Sequence, residues 1–247
     1  MSIVTGRLTR SDHPPRHAHA ATHVARRVQT RNVHLTDAAA PTAYARRRAW
    51  LDYPVAAVLL LPGLPLIGLL VLLMRLSSPG CGLFRQLRVG KNGKPFHLYK
   101  IRTMRCDAET RTGAVWSPTN DPRVTGLGYW IRALHLDELP QLINVLRGEM
   151  ALIGPRPERP EFVAVLQDVV PGYAARTCVL PGITGLSQVN LPPDVNLCSV
   201  CRKIVLDIDY IRRNSLLLDL RILACTITRA FGVRSRRLNR LFGIHCE

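Results

Sequence analysis

The chain has 247 residues, of which 47% are hydrophobic, enough to fill the core of one substantial domain or two small ones. Lysine and arginine number 34 against 17 acidic residues, and the net charge of +17 implies an anionic partner: nucleic acid, an anionic lipid surface or a phosphate-bearing substrate. An aromatic content of only 6% argues against binding RNA or single strands by base stacking. The seven cysteines, odd in number and irregularly spaced, favour a reducing compartment over a disulfide framework.

The first 45 residues are predicted to be a disordered basic arm. Residues 1–48 contain nine arginines and five histidines but no lysine or glutamate, and they show no apolar periodicity. They also lack the apolar stretch of a secretory signal. The histidines are scattered through sequence rich in proline and alanine, which favours a solvated tail over a metal site.

Residues 46–76 form the predicted membrane element. The 22 residues from Tyr53 to Met74 carry no charge, a length sufficient to cross a bilayer as a helix. Pro62, Gly63 and Pro65 should kink or break such a helix. Because both flanks are basic, and basic flanks favour the cytoplasmic side, we predict a re-entrant helical hairpin that turns near Pro62 and leaves by the face it entered.

Residues 77–232 are predicted to form an α/β domain that is rich in helix and has few, short strands. Two β-like runs, 84–89 and 96–101, are joined by a connection typical of a hairpin. The predicted helices cover residues 127–134, 136–147, 160–167, 205–210 and 216–231. The last of these is partly amphipathic and suits a membrane interface. A basic tail, 233–247, follows.

Asp137 and Glu138 are the strongest candidates for catalytic residues. They stand at the start of the predicted helix 136–147, with Asp137 at the N-cap and Pro140 in the first turn. An oriented carboxylate can attack phosphorus to give an acyl phosphate, and a neighbouring one can hold Mg²⁺. The alternative interpretation is an ordinary N-cap followed by a favourable first-turn acid.

Several cations could bind phosphate. Arg156 lies between two prolines that can aim its guanidinium. Arg85 and Arg88 follow the apolar segment, with Lys100 and Arg102 nearby, and the alternative is that they only set topology. Cys198 and Cys201 form a single C-x-x-C pair, which we interpret as two ordinary thiols in a loop.

Taken together, these clusters resemble the bacterial sugar transferases, the monotopic polyprenyl-phosphate phosphoglycosyltransferases. The resemblance runs in order from about residue 46 to residue 231. The matching runs are Arg46-Arg47-Arg48-x3-Asp52; Ser78-Pro79-Gly80; Phe84-Arg85-Gln86-x-Arg88-Val89-Gly90; Tyr99-Lys100-Ile101-Arg102-Thr103-Met104; Asn120-Asp121-Pro122-Arg123-Val124-Thr125; Leu136-Asp137-Glu138-Leu139-Pro140-Gln141; Asn144-Val145-Leu146-Arg147-Gly148-Glu149-Met150; Gly154-Pro155-Arg156-Pro157; Pro181-Gly182-Ile183-Thr184-Gly185; and Asp207-x-Asp209-Tyr210 with Ser215 and Asp219.

The resemblance implies transfer of a phosphosugar from a UDP-sugar to polyprenyl (undecaprenyl) phosphate, with release of UMP through a covalent aspartyl-phosphosugar. Asp137 would be the nucleophile, Glu138 the Mg²⁺ ligand and Lys100 a charge partner. The phosphate and uridine contacts would be Arg123, Arg147 and Arg156. The enzyme would lie on the cytoplasmic face of the bacterial inner membrane, bound to membrane lipid, and would start the synthesis of an exopolysaccharide, capsule, O-antigen or glycoprotein glycan. The resemblance also allows a homo-oligomer.

The sequence departs from the family pattern at three places. His135 replaces the usual serine or threonine, the apolar segment breaks at 61–65 without the usual Ser-Pro pair, and residues 191–202 match no family pattern. We expect this last region to help to select the sugar.

Two other classes of protein share some of these features. A nucleic-acid-binding protein would suit the charge but not the uncharged 22-residue segment or the lack of a known nucleic-acid motif, so no nucleic acid is expected. A non-catalytic membrane scaffold of the same fold is disfavoured by the intact pair of Asp137 and Glu138.

Overall fold

A computed structural model describes residues 41–110, 113, 115–117, 121–194 and 196–230. The predicted tail 233–247 and all but the last five residues of the predicted arm lie outside them. The last three of those five, 43–45, lie in a short helix, α1 (Ala43–Arg47), which Thr42 caps by accepting a hydrogen bond from the Ala45 amide at 3.1 Å. Helical structure therefore begins before residue 46, where we had placed the start of the membrane element.

The apolar segment forms one long helix, α2 (Ala49–Ser77), with Pro54, Pro62 and Pro65 inside it. The predicted break at Pro62 and Gly63 is not seen, because the helix is continuous through both residues, and the re-entrant hairpin remains a prediction. Each proline removes only its own N–H from the ladder of hydrogen bonds, so the residues between and beyond the prolines remain helical. Among the described residues this is the single helix long and apolar enough to cross a membrane by length and composition.

One narrow face of α2 packs against the protein. Its buried residues recur at spacings of three and four, which is the helical repeat. They are Asp52, Ala56, Leu60, Gly63, Ile67, Leu70 and Met74. The other faces are apolar and exposed, with Val58 and Leu61 at 70% and 77% exposure. Apolar surface on that scale indicates an interaction surface rather than one suited to water.

The predicted β-hairpin is confirmed. Strand β1 (Leu83–Val89) pairs antiparallel with β2 (Pro95–Ile101), and Leu83 lies opposite Ile101 at the open end. The connection contains a short 3₁₀ turn in which Asn92 and Gly93 have φ of 55° and 75°. Asparagine and glycine tolerate this left-handed conformation, which explains why the chain reverses here.

Short helices and two further strands complete the domain. In chain order they are α3 (Gly126–Ala133), α4 (Gln141–Leu146), β3 (Ala151–Ile153), α5 (Pro160–Val169), β4 (Gly182–Thr184), α6 (Leu186–Asn190), α7 (Leu197–Arg213) and α8 (Leu216–Ala230). Strands β3 and β4 form a parallel pair that we did not predict, because three-residue strands carry no readable periodicity. Rich in helix with few, short strands, the fold agrees with the predicted class.

Helix α7 is longer than the predicted 205–210 and begins next to Asn196. The Asn196 side chain accepts from the Ser199 amide, and the Ser199 hydroxyl accepts from the Asn196 amide, which forms a capping box. Cys198 and Cys201 therefore lie in the first turns of a helix, not in a loop, and the Cys201 side chain is buried.

The start of α2 is bound to the end of the chain that the structure describes. Arg48, buried, lies 3.1 Å from Asp52 and 3.4 Å from Asp219, and it also donates to the Tyr210 hydroxyl and the Ile153 carbonyl. Tyr210 in turn donates to Asp219 at 2.8 Å. Residues from β3, α7 and α8 thus hold the beginning of the apolar helix on the domain.

Candidate active site

Asp137 and Glu138 lie in a tight 3₁₀ turn, Leu136–Glu138, and not in the first turn of an α-helix. His135 precedes the turn with a left-handed φ of 56°, and α4 begins only at Gln141, after Pro140. The prediction that Asp137 caps a helix is therefore wrong. Because the chain turns sharply here, the carboxylate of Asp137 is not needed for capping.

The Glu138 carboxylate is held by two cations. Its Oε1 atom accepts from Lys100 Nζ at 2.9 Å and from Arg156 Nη2 at 2.7 Å. Burial raises the pKa of Glu138, but the charges of Arg156 and Lys100 outweigh it, so this pKa lies well below the usual range. Glu138 is therefore ionised at every physiological pH, and its Oε2 atom accepts no hydrogen bond from any described residue.

The Asp137 carboxylate has a different environment. It is only 8% exposed, and no described residue donates a hydrogen bond to it. Burial raises the pKa of Asp137, the Lys100 charge opposes the rise, and the Glu138 charge adds to it, so the net shift is upward. A buried carboxylate with free oxygens and nearby cations is what nucleophilic attack on an anionic phosphate requires.

Lys100 reaches the pair of acids from β2, where it lies opposite Phe84 in the hairpin register. Burial lowers its pKa, and the charge of Glu138 partly offsets that effect. The predicted proximity of Lys100 to Asp137 and Glu138 is thus present in the structure, although these residues are separated by 38 positions or slightly fewer in the chain.

Arg156 approaches from the turn between β3 and α5. Its carbonyl accepts from Arg176 Nη2 at 2.7 Å, and the next carbonyl, of Pro157, accepts from Arg88 Nη1 at 2.9 Å. The backbone that follows the Arg156 side chain is therefore fixed by buried or half-buried cations, which positions this side chain on Glu138.

A small pocket, open to solvent, lies on this turn. None of the residues that line it comes from α2. They are Val89, Gly90, Pro155, Arg156, Pro157, Glu158, Val163, Tyr173, Arg176, Thr177, Val179 and Pro181.

The other predicted arginines are not gathered around Glu138. Arg85 is exposed on β1, and Arg147, near the end of α4, donates to the Tyr99 hydroxyl at 2.7 Å. Arg123 forms a close pair with Asp121. Arg102 donates to the Ser78 carbonyl at 2.8 Å and so fixes the end of α2. Substrate contacts by these four residues remain predictions.

Sequence reasoning missed Arg132. It lies in the last turn of α3, five positions before Asp137, and its Nε donates to Thr103 Oγ1 at 2.6 Å. Its charge lowers the pKa of Asp137, which places it among the groups that act on that carboxylate. The only signal in the sequence was an arginine five positions before a pair of acidic residues, and this pattern is too common to indicate a functional residue.

The Asp137 and Glu138 carboxylates are the groups suited to a divalent cation. The described residues contain no group of three or more His, Cys, Asp or Glu side chains placed to hold a metal. Mg²⁺ does not need such a group, because it is commonly bound by one or two carboxylates together with water and substrate phosphates. The free Oε2 of Glu138 and the free oxygens of Asp137 fit that requirement.

Comparison with known proteins gives a consistent result. Residues 43–232 match the family described as bacterial sugar transferase. The chain is 44% identical over 189 residues to "Undecaprenyl-phosphate glucose phosphotransferase" of Komagataeibacter xylinus, a match that covers 74% of this chain and 36% of that protein. It is 43% identical over 183 residues to "UDP-glucose:undecaprenyl-phosphate glucose-1-phosphate transferase" of Caulobacter vibrioides, covering 73% and 68%.

A third relative carries a different sugar in its name. The chain is 42% identical over 184 residues to "UDP-N-acetylgalactosamine-undecaprenyl-phosphate N-acetylgalactosaminephosphotransferase" of Aeromonas hydrophila, covering 73% of this chain and 43% of that protein. The chain thus spans well under half the length of two of these three relatives.

Proposed function

Because the chain belongs to the bacterial sugar transferase family, we propose that it transfers a phosphosugar from a UDP-sugar to undecaprenyl phosphate. The observation that carries the proposal is the contrast between two adjacent carboxylates. Glu138 is ionised and held by Lys100 and Arg156, whereas Asp137 is buried with both oxygens free. One acid is thereby fixed and the other remains available to react.

In the first step an oxygen of ionised Asp137 attacks the phosphorus that bears the sugar. The new carboxylate O–P bond forms while the bond from that phosphorus to the bridging oxygen breaks, and UMP leaves with the bond's electron pair. No proton transfer is needed, because the nucleophile is a carboxylate and the leaving group a phosphate. The positive charges of Lys100, Arg132 and Arg156 stabilise the negative charge that accumulates around this phosphorus.

In the second step a phosphate oxygen of undecaprenyl phosphate attacks the same phosphorus. The Asp137 O–P bond breaks, the free carboxylate returns, and the product is a polyprenyl diphosphate sugar. The two substrates therefore react in turn at one centre, which predicts ping-pong kinetics. The sugar and the glycan pathway stay open, since the relatives' names include both glucose and N-acetylgalactosamine.

Mg²⁺ is the expected cofactor. Glu138 would hold it through its free Oε2, and its contribution would be to neutralise the charge of the nucleotide diphosphate.

The apolar helix α2 provides the attachment to the membrane that a lipid substrate requires. Both ends of α2 are bound to the same domain: Arg48 joins its start to Asp219, and Arg102 joins its end through the Ser78 carbonyl. A helix whose two ends contact one domain is suited to entering and leaving the bilayer on the same face. Two prolines in its middle favour the bend that this re-entrant path needs. The basic flanks of α2 support a cytoplasmic location for that face, because basic flanks favour the cytoplasmic side.

The test is UMP release by the detergent-solubilised chain, with undecaprenyl phosphate and Mg²⁺, from a panel of UDP-sugars. We expect release from at least one donor, and a loss on the order of 10³-fold or more in Asp137→Asn, since a covalent nucleophile is removed. Asp168→Asn is the matched control, because Asp168 is exposed on α5. It should leave the rate unchanged.

Two outcomes would contradict the proposal. No UMP from any donor, with the protein folded and bound to membranes, would favour a scaffold of the same fold. Full activity in Asp137→Asn would exclude the aspartyl intermediate while leaving transfer itself intact.

A further inference from the structure

A second cluster of buried charges lies beside the turn that carries Arg156. Lys203, on the inner face of α7, is 8% exposed and has two partners. Its Nζ contacts the carboxylates of Glu158 and Asp194. Glu158 is also 8% exposed and lies 3.7 Å from Arg88. A lysine buried to this extent requires such partners, since an unpaired charge would be strongly disfavoured.

The two carboxylates belong to different segments. Glu158 is two positions after Arg156, and its carbonyl accepts from the Val89 amide at 2.9 Å. It therefore belongs to the same fixed turn as Arg156, the cation that contacts Glu138. Asp194 lies in the loop between α6 and α7, of which residues 191–194 are described before the helix cap at Asn196. The loop belongs to the region of the sequence that matched no family pattern. Lys203 is the side chain through which Asp194 is joined to Glu158.

The loop is stiff, so its position follows from its ends. Leu191 donates its amide to the Ser187 carbonyl at 2.9 Å, which continues α6 into the loop. Pro192 and Pro193 come next, both exposed and both with a fixed φ. Asp194 is therefore the point at which the far end of a semi-rigid segment is attached to the domain, and Lys203 sets where that segment lies.

The loop is connected, through Lys203 and Glu158, to the solvent-open pocket on the Arg156 turn. The pocket on the Arg156 turn is lined in part by Glu158, and no residue of the apolar helix α2 contributes to it. A lipid acceptor would approach from α2, and a nucleotide sugar from the opposite, solvent side. Because Lys203 joins the loop to Glu158, which lines this pocket, the loop is attached to the side from which the nucleotide sugar would come.

From this arrangement we infer that Lys203 is a positioning residue for the donor: it holds the loop 191–194 against Glu158, so that loop and turn together contact the nucleotide sugar. The inference rests on the proposed function. Lys203 does not touch the reacting atoms, and it should influence the donor half of the reaction and the choice of UDP-sugar, not the lipid half.

The experiment compares kcat/KM for the donor with kcat/KM for undecaprenyl phosphate in Asp194→Asn. This variant replaces the ion pair between Lys203 and Asp194 with a weaker neutral hydrogen bond and leaves the Lys203–Glu158 pair intact, so the fold should survive. In ping-pong kinetics, kcat/KM for each substrate reports only the half-reaction in which that substrate takes part. We expect donor kcat/KM to fall at least tenfold, within the roughly 10²-fold that a displacement of about 1 Å can cost, while the acceptor ratio is unchanged. The variant should also discriminate among UDP-sugars less strongly than the wild type does.

Three further variants complete the test. Lys203→Met should repeat the donor-specific loss, and Lys203→Arg, which keeps a charge able to bond both carboxylates, should retain more donor kcat/KM than Lys203→Met. Asp209→Asn is the matched control, since Asp209 forms an exposed pair with Arg213 on the same helix. It should change neither ratio.

A fall of both ratios by the same factor in Asp194→Asn would mean a general loss of active protein and would overturn the inference, as would no change in either. A wild-type chain that transfers from no donor would overturn the proposed function itself, a result distinct from these.

Discussion

The guanidinium of Arg156 lies 2.7 Å from the Glu138 carboxylate, although the two residues are 18 positions apart. Lys100 reaches the same oxygen from a different strand. Glu138 is therefore neutralised from two sides, whereas Asp137 beside it receives no hydrogen bond from a described residue. This asymmetry separates the roles of two acids that are adjacent in the chain.

Lys100→Met should move the acidic limb of the pH–activity profile to higher pH. The Lys100 charge lowers the pKa of Asp137 against the effect of burial, so without it Asp137 is protonated up to a higher pH and cannot attack. The measurement is kcat/KM for the donor as a function of pH.

The matched control for that change is Lys91→Met, because Lys91 is exposed in the hairpin turn. Its profile should coincide with wild type. An acidic limb that stays in place in Lys100→Met would show that Asp137 ionisation does not set it.

Asp137→Asn should unfold at a higher temperature than wild type at neutral pH. The pKa of Asp137 is raised in the folded state, mainly by burial, so the ionised form disfavours folding. At a pH above the raised pKa, the wild-type protein carries the full free-energy cost of burying ionised Asp137. At a pH below the ordinary pKa of aspartate, the side chain at position 137 is neutral in both proteins. The gain should therefore shrink as pH falls through that window, which thermal unfolding in detergent at several pH values will measure. A gain independent of pH would contradict this cause.

Val58→Lys should weaken attachment to the membrane. Val58 is 70% exposed on α2, and a lysine near the centre of a bilayer costs roughly 2.5–3.5 kcal/mol. Val165→Lys is the matched control, since Val165 is 60% exposed on α5, away from α2. Partition between membrane and soluble fractions is the measurement. Equal partition of both variants would argue against burial of this face of α2 in lipid.

Arg48→Met should destabilise the domain by about 3–5 kcal/mol, because it leaves buried Asp52 and Asp219 without their cation. Arg213→Met removes an exposed pair with Asp209 and should cost about 0–1 kcal/mol. Unfolding by denaturant in detergent measures both. A loss in Arg48→Met no greater than in Arg213→Met would show that the start of α2 is not held by this cluster.

Much of the fold followed from local patterns. The hairpin of β1 and β2 was predicted because two β-like runs are joined by a short connection typical of a hairpin. Other elements were missed because their signals are weak at short range. The early start of α7 depends on a capping box between Asn196 and Ser199, and β3 and β4 are too short to show a period.

The sequence by itself determined the apolar helix, the pair of acids and the family, since each is encoded by residue types at short spacing. Only the tertiary structure decided that Lys100 and Arg156 neutralise Glu138, that Arg102 fixes the end of α2, and that Lys203 joins Asp194 to Glu158. These contacts join residues from separate segments of the chain. Their partners are selected by packing and by the need to pair buried charges, which no local pattern records.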